Sequence, residues 1–514
     1  MFHSRRSATR WLGALVVCCA VASGAALHAD EPGQLIKTFD NPTPEFRDSF
    51  GFSLTASDDY IFIAAINDNQ AAKAGGTIYV YDANTYAPVR TINSPPPQEY
   101  DLIGTFMTTY EDYLLVGAWH ELTENKDDAG AAYVFDPNTG ATVHRFVSPT
   151  PAVDDRYGRW LVGVNGQIIV GAYKDDVLNQ EGGAAYSYDL QTGELLRTFL
   201  DPTPAIRDRF GYALGTIGDE VLISSYRDSE ITPNNGAVFS FDAVSGSYHQ
   251  TIRNPEPGAG DLFGFSIDTR GHYIAVGAVG DSVPTENTGS AYLIDYLTGE
   301  VVATFRNPSP DPLDEFSSHI TFVGDNVLIG AWEDDTLGNR AGAAYLFDGV
   351  TGELLHTFHD PRGGDDTFFG FSMAAVGTDI LISSHGTMAT EEQTGAAYLF
   401  DGSAFLAAPG DATHDGVVDG NDYLRWSSHI APFVPPAEFP GEAEKAGLQQ
   451  LVRGPADGDF NYDGRADGLD YLIWVEQFTA LSGNRIVPEP SAALLLGVGV
   501  FTGLATRRRR RCCF

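Results

Sequence analysis

An aromatic or large apolar residue followed by a small one recurs along the chain at an almost constant interval. This step, glycine-containing in six of seven cases, begins at Phe50, Ile103, Tyr157, Phe210, Phe263, Phe316 and Phe369. Successive steps are 53 or 54 residues apart. A second marker, the aspartate that ends segments such as YVYD and YLFD, keeps the same interval at Asp82, Asp136, Asp189, Asp242, Asp295, Asp348 and Asp401. Because a fixed interval of this length is typical of repeat architectures, seven copies of one structural unit are predicted.

Each repeat contains four short segments with the composition of β-strands. In the fourth repeat they read FGYALGTI, VLISSY, GAVFSFD and SYHQTI, and we name the corresponding strands A to D. Tight turns such as Gly218-Asp219 join A to B, and D-x-x-T-G turns such as Asp136 to Gly140 join C to D. Four strands joined by hairpins make one propeller blade. We therefore predict an all-β, seven-bladed β-propeller over residues 34–406.

The first strand D precedes the first strand A. Residues Leu35 to Phe39 match the strand D segment Leu195 to Phe199, whereas no convincing strand D follows Asp401. We therefore expect the N-terminal strand to complete the last blade, which closes the ring and removes two free sheet edges.

Two further patterns recur with the aromatic-glycine step: V-G-A or I-G-A on strand B, as at Val116 to Ala118 and Ile329 to Ala331, and G-A-A-Y on strand C. In these features the chain resembles FG-GAP repeats, the units of integrin α-chain propellers and of many bacterial surface proteins. The family's calcium loop, a D-x-D-x-D-G stretch between strands A and B, is reduced here to two or three turn residues. The resemblance therefore implies the fold but no calcium within the propeller.

Two segments after the propeller, GDATHDGVVDGNDYLRW and GDFNYDGRADGLDYLIW, have the ligand spacing of calcium-binding loops. The first would bind Ca²⁺ through Asp411, Thr413, Asp415, the carbonyl of Val417, Asp419 and Asp422. The second would use Asp459, Asn461, Asp463, the carbonyl of Arg465, Asp467 and Asp470. Each loop runs into an apolar helix start, and the pair resembles a small helical dockerin domain at residues 407–482. That resemblance implies a cohesin-like module as a partner.

Both ends of the chain carry predicted targeting segments. Residues 1–29 place arginines before an apolar run and small residues, as a secretory signal peptide does. Residues 487–511 place Val487-Pro488-Glu489-Pro490 before a short apolar run and five arginines, an order that resembles the PEP-CTERM sorting signal. This resemblance implies export, processing by an exosortase and at least transient membrane anchoring at the outer surface. A plain C-terminal anchor is the alternative.

Charge and cysteine content exclude several function classes. The formal net charge of −38 repels nucleic acid and suits calcium binding. All four cysteines, Cys18, Cys19, Cys512 and Cys513, lie in the terminal segments. The rest of the chain therefore has no disulfide, cysteine nucleophile or thiolate metal site.

Strand direction alternates within a blade, so the B–C and D–A connections should share one face, called here the loop-rich face. The residue that follows strand B breaks the repeat symmetry there and forms a partial aromatic ring. Its candidate ligand-binding members are Trp119, Tyr173, Tyr226, Trp332 and His385, with ordinary packing beneath the loops as the alternative. An aspartate two residues before the aromatic step is interpreted as a turn cap in six repeats. The neighbouring acids Asp175, Asp176, Asp334 and Asp335 are expected to be solvated loop charges rather than a catalytic pair.

These features favour an exported binding or adhesion protein without catalytic activity, which recognises a glycan or a surface protein. One alternative is a subunit of an extracellular polysaccharide-degrading assembly, recruited through the dockerin-like region. Another is a structural component of a surface layer or matrix.

Overall fold

Seven four-stranded antiparallel sheets make up the part of the chain that the computed structural model describes, residues 32–283, 285, 287–388 and 394–406. Each sheet is one blade, and strand A of every blade contacts strand A of both neighbours. The strands A therefore form a closed inner ring. The predicted seven-bladed propeller is confirmed.

The two inner strands of each blade alternate along the chain. Strands A, from blade 1 to blade 7, are β2 (Phe50–Ala56), β6 (Phe106–Tyr110), β10 (Tyr157–Val164), β14 (Phe210–Ile217), β18 (Phe263–Arg270), β22 (His319–Val323) and β26 (Phe369–Val376). Strands B are β3 (Tyr60–Ala65), β7 (Tyr113–Ala118), β11 (Gln167–Ala172), β15 (Glu220–Ser225), β19 (Tyr273–Ala278), β23 (Asn326–Ala331) and β27 (Asp379–Ser384).

The two outer strands follow in the same blade order. Strands C are β4 (Thr77–Asp82), β8 (Ala131–Phe135), β12 (Ala184–Asp189), β16 (Ala237–Asp242), β20 (Ser290–Asp295), β24 (Ala343–Phe347) and β28 (Ala396–Phe400). Strands D are β5 (Pro88–Ile92), β9 (Thr142–Phe146), β13 (Leu195–Phe199), β17 (Tyr248–Arg253), β21 (Val301–Arg306), β25 (Leu354–Phe358) and, in blade 7, β1 (Leu35–Asp40). A short 3₁₀ turn, Ser403–Phe405, follows β28.

The N-terminal strand closes the ring as predicted. Strand β1 pairs antiparallel with β28, and Lys37 lies opposite Leu399 while Asp40 lies opposite Ala396. Blade 7 therefore combines strand D from the start of the propeller with strands A to C from its end. Both strands would otherwise present unpaired edges.

The aromatic-glycine step forms the junction between neighbouring blades. The first residue of the step is fully buried in every blade. Its backbone N–H donates to the carbonyl two residues before strand C of the preceding blade, for example from Tyr157 to Ala129 at 3.0 Å. The same bond runs from Phe50 to Thr394 at 3.1 Å, across the point where the ring closes. All seven junctions therefore have one hydrogen-bond geometry.

The glycine of V-G-A on strand B allows the blades to approach closely. A Cβ atom on Gly117 would lie 2.0 Å from the carbonyl oxygen of Gly158 in the next blade, and one on Gly171 would lie 2.1 Å from that of Gly211. Apolar residues from facing sheets fill the rest of each junction, such as Leu115 of blade 2 against Leu161 of blade 3. The two glycine patterns thus belong to one contact between blades.

Several sequence predictions lie outside the described residues. They include the signal peptide, the two calcium loops with their dockerin-like region, and the C-terminal sorting segment. Among the described residues, no helix is long and apolar enough to cross a membrane.

Substituting the strand B glycine should destabilise the protein. Gly117→Ala should lower the free energy of unfolding by about 3 kcal/mol, because the new methyl group overlaps a backbone oxygen that cannot move without separating two blades. Chemical denaturation of the full-length protein measures the change. The control is Gly377→Ala, at a position with φ of +59° and no atom within 4 Å of the added Cβ, which should cost about 1 kcal/mol. Equal losses in both variants would contradict the close-contact interpretation.

Candidate functional site

The seven strands A enclose a channel with a volume of about 810 Å³. Side chains from all seven blades line it. The channel extends from the loop-rich face towards the A–B turns, because strand A runs in that direction in every blade. Its volume lies in the range of small-molecule and sugar-sized ligand sites.

Aromatic side chains concentrate where the channel meets the loop-rich face, a region called here the channel mouth. They come from the first two positions after the aromatic-glycine step or from the residue that follows strand B. They are Phe52, Phe106, Trp119, Trp160, Tyr173, Tyr212, Phe265, Trp332 and Phe371. Further along, the wall carries small and hydroxyl-bearing residues, including Thr55, Thr108, Thr109, Thr216, Thr269 and Thr321. The channel is therefore aromatic at one end and hydroxyl-rich beyond it.

One aromatic cluster of the channel mouth belongs to blades 3 to 5. The ring of Tyr212 lies 5.2 Å from that of Tyr173, 4.2 Å from Tyr226 and 5.0 Å from Phe265, measured between centroids. These rings hold one another in tilted and edge-to-face contacts, which are the favoured arrangements for aromatic pairs. Tyr173, Tyr212 and Tyr226 are only 8%, 7% and 5% exposed, so packing fixes these rings and leaves only edges of Tyr173 and Tyr212 to the channel.

A second cluster belongs to blades 6, 7 and 1. The ring of Phe371 lies 5.6 Å from Trp332, 4.5 Å from His385 and 4.9 Å from Phe52. His385 also stacks on Phe368 at 5.1 Å. Burial lowers the pKa of His385 to about 4, so its imidazole is neutral at physiological pH.

The predicted ring of residues after strand B divides into two groups. Trp119, Tyr173 and Trp332 line the channel, and both tryptophans are partly exposed. Tyr226 is buried beneath Tyr212, and His385 packs among phenylalanines; neither lines the channel. The ligand role stays a prediction for the first three, whereas packing accounts for Tyr226 and His385.

Arg159 is a cation at the channel mouth that the sequence analysis missed. Its guanidinium lies 4.6 Å from the ring centroid of Tyr212 and 5.7 Å from that of Trp160, and Nη2 donates to Tyr212 Oη at 3.1 Å. Among the described residues no carboxylate forms an ion pair with it. The residue just after the aromatic-glycine step differs between most blades, as the residue after strand B does. The same criterion, a residue that varies between repeats, would therefore have identified Arg159.

Two other titratable residues of the channel are held by its wall. Asp268 accepts backbone N–H bonds from Phe322 and Thr269, each at 2.8 Å, and burial raises its pKa to about 6. Burial also lowers the pKa of His319 to about 4, and its Nδ1 atom accepts the N–H of Met373 at 3.1 Å. Both side chains therefore stabilise neighbouring strands A.

The aspartate before the aromatic-glycine step, present in six of the seven repeats, is a turn cap, as predicted. Asp48 Oδ2 accepts the N–H of Glu45 at 2.6 Å, and Asp155 Oδ2 accepts that of Ala152 at the same distance. Burial, with Asp175 close by, raises the pKa of Asp155 to about 7. These carboxylates shape the D–A loops and do not point to a ligand.

The expectation that Asp175 and Asp334 are solvated loop charges is wrong. They are only 2% and 1% exposed, and their Oδ2 atoms accept the hydroxyls of Tyr186 and Tyr345, each at 2.6 Å. A backbone N–H two residues further on occupies the other carboxylate oxygen. We call this contact between the acid and the tyrosine the acid–tyrosine clamp. Its sequence signal is an acid in the B–C loop that is followed eleven residues later by a strand C tyrosine. Asp176 and Asp335, by contrast, are exposed and cap their own loops.

Blade 4 departs from this clamp and brings three acids together. Phe239 replaces the strand C tyrosine, and oxygens of Asp201, Asp208 and Asp228 lie within 4.8 Å of one another. All three side chains are buried, and burial raises the pKa of Asp208 to about 6. Arg253 donates to Asp228 at 3.2 Å and supplies part of the compensating charge. The cluster offers oxygen ligands of the kind that Ca²⁺ prefers.

The A–B turns do not fit the calcium loop of FG-GAP propellers. They contain three residues in blade 1 and two in each of the other six blades. A D-x-D-x-D-G loop needs six residues at least, so these turns cannot supply its ligand set.

The fold and its channel define a seven-bladed β-propeller with a ligand-sized axial cavity. The family model for the FG-GAP repeat matches residues 249–294 and 310–347, which cover most of blade 5 and the strands A to C of blade 6. The chain thus carries FG-GAP repeats, which are typical of extracellular, surface and adhesion proteins. No curated protein sequence matches the chain.

Proposed function

We propose that this protein is an exported cell-surface binding protein that recognises glycans at the channel mouth. The observation that carries the proposal is the convergence of aromatic side chains from all seven blades on one end of the channel. Flat aromatic faces bind the apolar faces of sugar rings. The hydroxyl-rich wall beyond them provides hydrogen-bonding partners for sugar hydroxyls.

The second part of the proposal is that the protein binds its ligand without catalysing a reaction. Asp268 is engaged by two backbone N–H groups, and the acids of the B–C loops are engaged by tyrosines. Carboxylates with these partners are poorly placed to act as a general acid and base. The rigid ring instead supports recognition by residues fixed in position.

A protein ligand is the second candidate, and the exposed tips of the D–A loops favour it. Phe46 and Ile206 are 62% and 64% exposed, and Val153 and Leu313 occupy related positions. Apolar residues that stand out around a polar face are common in protein–protein contacts. The same face would then serve adhesion to another surface protein.

The segments outside the described residues complete the proposal. The signal peptide and the sorting segment would deliver the propeller to the outer surface through an exosortase. The loops at 411–422 and 459–470 would bind calcium, and a cohesin-like partner would place the protein in a polysaccharide-degrading assembly. A structural role in a surface layer is the remaining alternative.

Removing one tryptophan from the channel mouth should separate binding from stability. Trp119→Ala and Trp332→Ala should each weaken glycan binding by about 2 kcal/mol, because a stacked aromatic is lost. The melting temperature should change little, since both side chains are partly exposed. A glycan array on the full-length protein identifies the ligand, and titration calorimetry with a thermal melt measures both effects.

Tyr248→Ala is the matched control, because this aromatic residue is exposed on the outer strand β17 and lies away from the channel. It should leave affinity unchanged. A large fall in melting temperature with intact affinity in the tryptophan variants would show that the two side chains are core residues.

Calcium binding should come from the two C-terminal loops. Calorimetric titration of the full-length protein should show about two sites, as two complete loops predict. Asp415→Ala and Asp463→Ala should each remove one of them, because position 5 supplies a direct ligand. A site that survives in the double variant but is lost in Asp228→Asn would instead place calcium at the blade 4 cluster and contradict the absence of calcium from the propeller.

A further inference from the structure

We propose that Arg159 makes the channel mouth selective for sugar rings that carry a carboxylate, the class of the uronic acids. This inference rests on the proposed function and names its ligand class. It concerns a residue inside the cavity, whereas the proposed function rests on the aromatic residues around it.

Within the described part of the chain, Arg159 has no carboxylate partner, whereas most arginines there have one. Arg145 pairs with Glu121 at 2.5 Å and Arg306 with Asp281 at 2.8 Å, in a chain whose net charge is −38. The guanidinium of Arg159 instead donates a hydrogen bond to a neutral hydroxyl, that of Tyr212. A guanidinium kept free of carboxylates in so acidic a protein is available for an anion that arrives with the ligand.

The loops around Arg159 do not supply the positive charge. The D–A and B–C loops of blades 3 and 4 contain five basic residues, Arg156, Lys174, Arg207, Arg209 and Arg227, but also nine acidic ones. Asp154 is shared by Arg156 and Lys174, and Glu181 by Arg207 and Arg209. Selectivity for an anion would therefore come from Arg159 itself and not from the loops.

The surroundings of Arg159 favour an acid on a ring over a free anion. Trp160 and Tyr212 flank the guanidinium, and Tyr173 continues the aromatic wall. A ring stacked on this wall could place an attached carboxylate against the planar guanidinium, which binds carboxylates through two parallel hydrogen bonds. The hydroxyl-bearing residues beyond the mouth suit a ligand rich in hydroxyl groups.

The single cation inside the cavity also limits the charge of the ligand. One guanidinium matches one carboxylate, whereas a phosphate or a highly sulfated sugar would bring more negative charge than the channel neutralises. Asp268 and Glu315 line the same channel and would repel a second anionic group. A glycan with a single acidic sugar, placed in the channel mouth, would provide one carboxylate for Arg159 and no second anionic group.

The test compares a trisaccharide of one terminal galacturonate and two galactose residues with a neutral trisaccharide of galactose, on the full-length protein at neutral pH. Tryptophan fluorescence follows binding, because Trp119, Trp160 and Trp332 line the site. The acidic sugar should bind at least about tenfold more tightly than the neutral one. Arg159→Gln should abolish that preference while keeping affinity for the neutral sugar, and Arg159→Lys should retain only part of it. Arg90→Gln, on the outer strand β5, is the control and should change nothing.

The outcomes separate this inference from the proposed function. Equal affinity for both sugars, or an acid preference that survives Arg159→Gln, overturns the role of Arg159 and leaves glycan binding intact. Absence of binding by either sugar, together with no effect of Trp119→Ala on any array ligand, overturns the proposed function itself. Binding of cyclohexanecarboxylate as tightly as the acidic trisaccharide supports the ion pair but overturns the assignment to sugars. A circular dichroism melt of Arg159→Gln and Arg159→Lys confirms that both variants are folded.

Discussion

One contact between neighbouring blades supports the whole structure: the buried aromatic residue of the aromatic-glycine step, whose N–H donates to a carbonyl before strand C of the preceding blade. A single four-stranded sheet leaves both of its faces without a partner. This contact buries each face against the next blade and fixes the distance between blades. In four blades the strand B residue at this contact is a glycine, and a side chain on Gly117 or Gly171 would meet the backbone of the adjoining blade. In the other three blades a small residue holds the position: Ala64, Ser224 or Ser383.

Ring closure extends the same contact to the ends of the propeller. Phe50 bonds to Thr394, although 344 positions of sequence separate them, and β1 supplies the strand that blade 7 would otherwise lack. Both junctions of blade 7 thereby resemble the other five. A ring without a weak junction can hold its inner side chains in fixed positions, which is what a preformed binding site requires.

Function on such a scaffold depends on positions where the repeats differ. Side chains that recur in the blades, such as Asp48 and the acid–tyrosine clamps, maintain the loops. Side chains that do not recur, above all Arg159, Trp119 and Trp332, meet in the channel mouth. Blade 4 shows the same principle on a smaller scale. Phe239 removes the hydroxyl that would bind Asp228, which instead accepts Arg253 and lies close to Asp201 and Asp208.

Elements that recur in every repeat could be predicted well from the sequence, and elements that occur in only one repeat could be predicted less well. Seven similar copies identified the blades, and the match of Leu35 to Phe39 with later strands D identified the closing strand. The clamp of Asp175 by Tyr186 was missed because the two residues belong to different segments, and only folding brings the strand against the loop. Arg159 was missed because the search for asymmetry was confined to strand B. Tyr226 and Trp119 hold equivalent positions in sequence, and only the packing of Tyr212 over Tyr226 distinguishes a buried residue from a channel residue.

The most direct measurement is a crystal structure of the full-length protein with the trisaccharide that ends in one galacturonate residue. We expect that residue in the channel mouth, stacked on the aromatic wall of blades 3 to 5, with its carboxylate within hydrogen-bond distance of both terminal nitrogens of Arg159. Sugar bound on the outer strands or the A–B turns, with the channel mouth free of ligand, would contradict it.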